Sequence, residues 1–242
     1  MRILAWNIGH QTRERRLKPA FLPTIEALSP DVIVLNEYVD GASRAQMKDA
    51  LRLTGLDAIE CSERIDRHNQ VPIAARSALS PGTVSAAALD DTARSNFLSV
   101  VVAAAQIEIV GFRAPAYTAI RDRRTFWSGM DQIIRNAAGR VLFIGDMNAD
   151  PSDPSTPGGA VLAALRVDGW QVPEAAGEWS FARKNARTRI DYAVVSPAIA
   201  LTGAAYVSTL GDLHCAGFIK GLYDHAPLVL DIDERLMNER SN

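Results

Sequence analysis

Short apolar runs rich in Val, Ile and Leu recur along the chain and read as core strands: "RILAW" (2–6), "DVIVL" (31–35), "VPIAA" (71–75), "FLSVVVAAA" (97–105), "IEIVGF" (107–112), "VLFIG" (141–145), "IDYAVV" (190–195) and "PLVLDI" (227–232). Two other stretches carry helical spacing. In "PAFLPTIEALSP" (19–30), Phe21, Leu22, Ile25 and Leu28 share a face and Pro30 ends the segment. In "RDRRTFWSGMDQIIRNAAG" (121–139), Phe126, Met130, Ile133 and Ala137 recur with helical period and Gly139 follows as a stop. There are too many strands for one small sheet, and two packed sheets covered by helices house them economically. The stretch "DPSDPSTPGG" (150–159) reads as a surface loop within a single domain spanning 1–242.

Several of these runs end in polar residues. "RILAW" leads into Asn7, "DVIVLN" into Glu37, and "VLFIG" into Asp146 and Asn148; Asp191 stands at a strand start, and Asp224 and His225 precede "APLVL". An ionised carboxylate buried without a partner costs several kcal/mol or more, so each one either caps a turn or holds something charged. Taken singly, each has a local explanation: a turn residue, an Asx turn, an ion pair of Asp191 with Arg187 or Arg189. If the strands share one core, their polar ends converge on one rim.

With 48% hydrophobic and 22% charged residues the composition is that of a soluble globular protein. A net charge of −2 gives no whole-molecule attraction to polyanions, so binding of phosphates has to come from a local basic patch. Cys61 and Cys215 have no CxxC spacing, which argues against a disulfide framework and a zinc site. No apolar run approaches the ~20 residues that span a bilayer, and "MRILAWNIG" is too quickly polar for a signal peptide, so the expectation is a cytoplasmic protein with no membrane anchor.

Order and combination sharpen the picture. Asn7, then "NE" at 36–37, "GDMN" at 145–148, "RIDY" at 189–192 and "DHAP" at 224–227 together resemble the endonuclease/exonuclease/phosphatase superfamily, which includes exonuclease III and type I deoxyribonucleases. "NQVPIAARSALS" and "EWSFARKNARTRIDY" are similar to further segments of that family. The resemblance implies a four-layer αββα sandwich of α/β (α+β) class, two packed mixed sheets flanked by helices. It also implies a divalent-metal-dependent phosphodiester hydrolase using Mg²⁺ or Mn²⁺, in which water attacks phosphorus in line. Glu37 is then the first metal ligand, with Asn7 and Asp224 in support. Asp146 orients or deprotonates the water, Asn148 holds phosphate or metal-bound water, and His225, oriented by Asp191, donates to a phosphate oxygen. Asn7 belongs to the same catalytic set. Departures are visible too: "FRAPA" places Arg113 where exonuclease III relatives carry Tyr and Ala116 where they carry Asn, and Gly9 stands where some abasic endonucleases have an acidic ligand. Arg113 is suited to clamp phosphate but cannot act as an ionisable phenol.

A nucleic acid is the expected substrate. Arg113, Arg121, Arg123 and Arg124 follow one strand, and Arg183, Lys184, Arg187 and Arg189 precede another. Against this stands the reading that the helix-start arginines are solvated or paired with Asp122 and Asp131. A small-molecule or lipid-headgroup phosphoesterase and a catalytically silent binding protein on the same fold are the alternatives.

Overall fold

The computed structural model describes residues 1–233 other than 67, 88, 117, 185 and 219–222, with no side chain described at 91 or 92. Residues 234–242, the tail of the expected domain, and Asn185 within "EWSFARKNARTRIDY" therefore lie outside the described residues.

The apolar runs form the strands expected of them. In chain order the elements are β1 (Arg2–Asn7), α1 (Phe21–Leu28), β2 (Val32–Asn36), α2 (Arg44–Leu53), β3 (Ala58–Cys61), β4 (Pro72–Ala75), β5 (Leu79–Pro81), α3 (Asp91–Ser95), β6 (Phe97–Val102) and β7 (Ile107–Phe112). Then follow α4 (Ile120–Asn136), β8 (Val141–Asp146), α5 (Pro157–Val167), the hairpin β9 (Phe181–Arg183) and β10 (Ala186–Thr188), β11 (Asp191–Val195), β12 (Leu201–Tyr206), the small hairpin β13 (Thr209–Leu210) and β14 (Leu213–His214), and β15 (Leu228–Ile232).

Two mixed sheets result. One has the order β12-β15-β1-β2-β4-β3 and the other β11-β8-β7-β6-β5. The pairs β1–β2 and β7–β8 are parallel, whereas β15 runs antiparallel to β1 and β11 antiparallel to β8. Strand alternation explains the layering. Along β8, Leu142 and Ile144 join the core shared with the six-stranded sheet, while Val141 and Phe143 join a second cluster beneath α4 and α5. Helices α1 and α2 pack on the six-stranded sheet through Phe21, Ile25, Met47 and Leu51. The sheets approach closely where Gly111 of β7 faces β2: a Cβ there would lie 2.6 Å from Val34 Cγ1. The architecture is thus the expected α/β sandwich of helices, two sheets and helices.

Local expectations fail in three places. The proline- and glycine-rich stretch is not all loop, because Thr156 accepts a hydrogen bond from the Gly159 amide and Pro157 opens α5, a favourable helix start. The run 97–105 stops as a strand at Val102, since Ala103–Gln106 turn the chain with Gln106 at φ 50°. Helix α4 ends at Asn136, before the glycine expected to stop it.

Candidate active site

The topology accounts for the gathering of polar residues. Parallel β1, β2, β7 and β8 end at one rim, and the antiparallel β11 and β15 begin there. Asn7, Asn36 and Asp146 are the last residues of their strands, Glu37 and Arg113 follow theirs by one, and Asp191 opens β11 directly opposite Asp146. Glu37, Arg113, Asp146, Asn148, Asp224 and His225 line one cleft of about 830 Å³. Asn7 and Asp191 are buried just behind, bonded to groups that face it. The candidate catalytic and metal-binding residues read from the sequence thus all lie in this cleft or directly behind it.

Asp146 is the hub. Asn7 Nδ2 donates to its Oδ2 at 2.9 Å, and the Asn148 amide donates to its Oδ1 at 3.2 Å. The backbone N–H of Asp146 donates to Asn36 Oδ1 at 2.9 Å, and Asn36 Nδ2 donates to the Phe112 carbonyl at 3.1 Å. The Arg113 guanidinium reaches Glu37 Oε1 at 2.7 Å and lies 3.4 Å from Asp146 Oδ2. His10 Nδ1 lies 3.1 Å from Glu37 Oε2. Asn148 Nδ2 donates to the Ala114 carbonyl at 2.9 Å. Glu37 and Asn148 both sit in the left-handed region, at φ 55° and 44°, and for Glu37 this is a strained backbone of the kind that clusters at functional sites.

On the other wall, His225 Nδ1 and Asp191 Oδ2 are 2.9 Å apart, both side chains buried. Asp191 does not pair with Arg187 or Arg189. Arg187 pairs with Glu178, and Arg189 donates to the Gly177 carbonyl. The dyad is fixed from behind: Trp6 Nε1 donates to the His225 carbonyl at 2.9 Å, Tyr206 O–H donates to the Asp191 carbonyl at 2.7 Å, and Ser180 Oγ accepts from the Asp191 amide. Engaging Nδ1 leaves Nε2 as the donor available to the cleft.

Burial and neighbouring charge together raise both groups, with burial leading the shift at Asp146 and opposing it at His225. At Asp146 burial is the main influence and, with the negative charges of Asp191 and Glu37, pushes the carboxyl up to about 6 against the pull of His225 and Arg113. At His225 burial is again the largest single influence and favours the neutral ring. The charge and hydrogen bond of Asp191, with Asp146 and Asp224, outweigh it and lift the imidazole to about 9. Burial thus favours the protonated carboxyl at Asp146, whereas Asp191 favours the protonated ring at His225.

Among the described residues no cluster of three or more His, Cys, Asp or Glu could enclose a metal ion. Glu37 and Asp224 offer carboxylate oxygens at the cleft instead, with Asn7 behind it accepting from the Gly9 amide through Oδ1, and the two oxygens of Glu37 already meet Arg113 and His10. Such a sparse, hard donor set fits a cation that keeps most of its water ligands and asks for one or two carboxylates.

His10, Asn36, Ser180, Trp6 and Tyr206 are participants that spacing did not single out. Asn36 had a signal, being half of "NE"; the others act through contacts distant in sequence. The helix-start arginines do not enter the cleft: Arg121 is exposed beside Asp122, and Asp131 pairs with Arg135.

Among curated proteins, none matches the sequence. Solved structures with the same fold include the 3′ phosphatase NExo from Neisseria bound to a product DNA hairpin (TM-score 0.69, 18% identity, 96% of this chain and 99% of that one). An AP endonuclease from Archaeoglobus fulgidus superposes with TM-score 0.71 at 14% identity, over 96% of this chain and 99% of that one. The endonuclease domain of the telomere-specific retrotransposon TRAS1 does so with TM-score 0.64 at 13% identity, over 96% and 97%. The Endonuclease/Exonuclease/phosphatase family model matches residues 4–213, a span that holds the whole five-stranded sheet and most of the six-stranded one and ends before Asp224, His225 and β15. With its rim of strand-end carboxylates and amides, the chain belongs to the Endonuclease/Exonuclease/phosphatase family.

Proposed function

We propose that the protein is a divalent-metal-dependent phosphodiester hydrolase that acts on DNA through in-line attack of water. The observation that carries this reading is the gathering of Asp146, His225, Arg113 and Asn148 on one cleft, with His225 held by Asp191 at 2.9 Å and Asp146 held by Asn7 at 2.9 Å. The family membership and the DNA-processing activities of proteins sharing the fold support it.

In this reading the scissile phosphate sits between the walls. Asp146, held by Asn7 and by the backbone of Asn148, takes a proton from the attacking water as its oxygen bonds to phosphorus and the opposite phosphorus–oxygen bond breaks, the departing alkoxide taking its proton from solvent. His225, kept protonated by Asp191, donates through Nε2 to a non-bridging oxygen as negative charge gathers there. Arg113, and the Asn148 side chain beside it, steady the remaining oxygens. Glu37, with Asn7 and Asp224, would hold Mg²⁺ or Mn²⁺, which when bound supplies a fixed positive charge against the phosphate.

The test is turnover of plasmid, single-stranded DNA and bis(p-nitrophenyl) phosphate with Mg²⁺ or Mn²⁺, then with chelator, for wild type, Asp146→Ala and His225→Ala. Metal-dependent DNA cleavage that falls at least ~100-fold in each variant is expected, the usual cost of removing a base or an oxyanion donor. Turnover of the small ester alone would assign the site to a small phosphoester; no turnover in the wild type would discard the hydrolase.

A further inference from the structure

A second cavity, of about 470 Å³, adjoins the cleft, and the β9–β10 hairpin separates the two. Ala182, Arg183, Lys184 and Phe218 line both, so these residues form a saddle between them. Phe218 is 59% exposed. Of the four exposed large apolar side chains among the described residues, Leu53, Ile120, Val167 and Phe218, it is the one that borders either cavity. An aromatic face of this kind gains little from water and much from a flat partner.

The charge around it has one dominant sign. Arg183, Lys184 and Arg187 line the second cavity against a single carboxylate, Glu178. That carboxylate meets Arg187 at 3.2 Å in a well-exposed pair, which solvent screens. Lys184 has no ion-pair partner among the described residues. Two of the cations already lie over rings, Arg183 at 5.1 Å from the Phe181 centroid and Arg187 at 5.7 Å from that of Trp179, so cations and aromatic faces are interleaved here.

We propose that this saddle and the cavity beyond it bind one unpaired nucleotide of the DNA strand whose phosphate occupies the cleft, its base stacked on Phe218 and its phosphate neutralised by Lys184 and Arg183. The proposal rests on the nuclease reading and narrows its substrate to DNA with a frayed, tailed or extruded nucleotide beside the scissile bond. A volume near 470 Å³ lies in the range of small-ligand pockets, ~300–1,000 Å³, and admits a nucleotide but not a duplex. A base can use an aromatic face only after leaving its own stack, and basic grooves with interleaved aromatics are how single strands are held.

The experiment places 2-aminopurine in the single-stranded tail of a tailed duplex, or at the matching position of a blunt duplex, and titrates each with the full chain in chelator, so that binding proceeds without cleavage. Wild type should quench the tail fluorophore and prefer tailed over blunt DNA. Phe218→Ala should lose about tenfold in affinity for tailed DNA with little change for blunt DNA, and Phe218→Trp should restore it. Thermal unfolding of each variant checks that the fold is kept. Wild type that binds and cleaves DNA while Phe218→Ala keeps the same tailed-to-blunt preference overturns this proposal alone. Wild type that binds and cleaves no DNA overturns it together with the nuclease reading.

Discussion

His225 shows how one neighbour reverses what burial dictates. Buried as it is, the imidazole should titrate low; Asp191, 2.9 Å from Nδ1, holds it up to about 9. NMR titration of the ring in the cation-free protein should therefore give a midpoint near 9, falling toward the ordinary ~6.5 in Asp191→Asn, where burial acts with less opposition. Because the folded value exceeds the unfolded one, the stabilisation from this protonated pair is fully present below ~6.5 and is lost as pH rises through about 9. Urea midpoints of wild type should accordingly decline across that window, and those of Asp191→Asn should decline less. The sequence offered Asp191 and His225 as a pair only through the family resemblance. Their spacing alone pointed Asp191 at nearby arginines, since no local pattern encodes a bond across 34 residues.

Element boundaries follow from the same physics with uneven visibility. Strands β1, β2 and β8 were readable because each is an unbroken apolar run closed by a polar residue, and β7 because Glu108 alone interrupts its Ile, Val and Phe. Helix α2, with Met47, Ala50 and Leu51 as its only buried residues, and strand β12, mostly half-exposed Leu, Thr, Gly and Ala, carry too little periodic apolarity to stand out. Helix α5 was hidden by its own start signal, Pro157 and two glycines, read as breakers. At the end of β8 the backbone is under closer constraint. Gly145 lies at φ 147°, and a Cβ there would press into the Phe112 carbonyl and come within 2.8 Å of Asn36 Oδ1. Gly145→Ala should cost about 2–4 kcal/mol by strain and crowding. Differential scanning fluorimetry should register this as a melting-point drop of roughly 5–15 °C. Activity should fall further than stability, because Asn36 and the Asp146 amide would separate.

The molecule as a whole divides its working groups between its two sheets. Asn7, Asn36, Glu37 and His225 belong to the six-stranded sheet or its loops; Arg113, Asp146, Asn148 and Asp191 belong to the five-stranded one. The Asn7–Asp146, Glu37–Arg113, Asn36–Asp146 and His225–Asp191 contacts each cross from one sheet to the other. Between the sheets lies an apolar interface that is largely non-directional, so alignment falls to steric points such as Gly111 opposite Val34 and to a few polar contacts such as Tyr206 O–H on the Asp191 carbonyl. The polar rim is therefore a clasp that closes only when both leaves of the sandwich are in exact alignment, and it yields first when they slip. In a urea series, turnover should vanish at lower concentration than far-UV ellipticity, and trimming Ile144 to Val, a change confined to the apolar core between the sheets, should widen that gap.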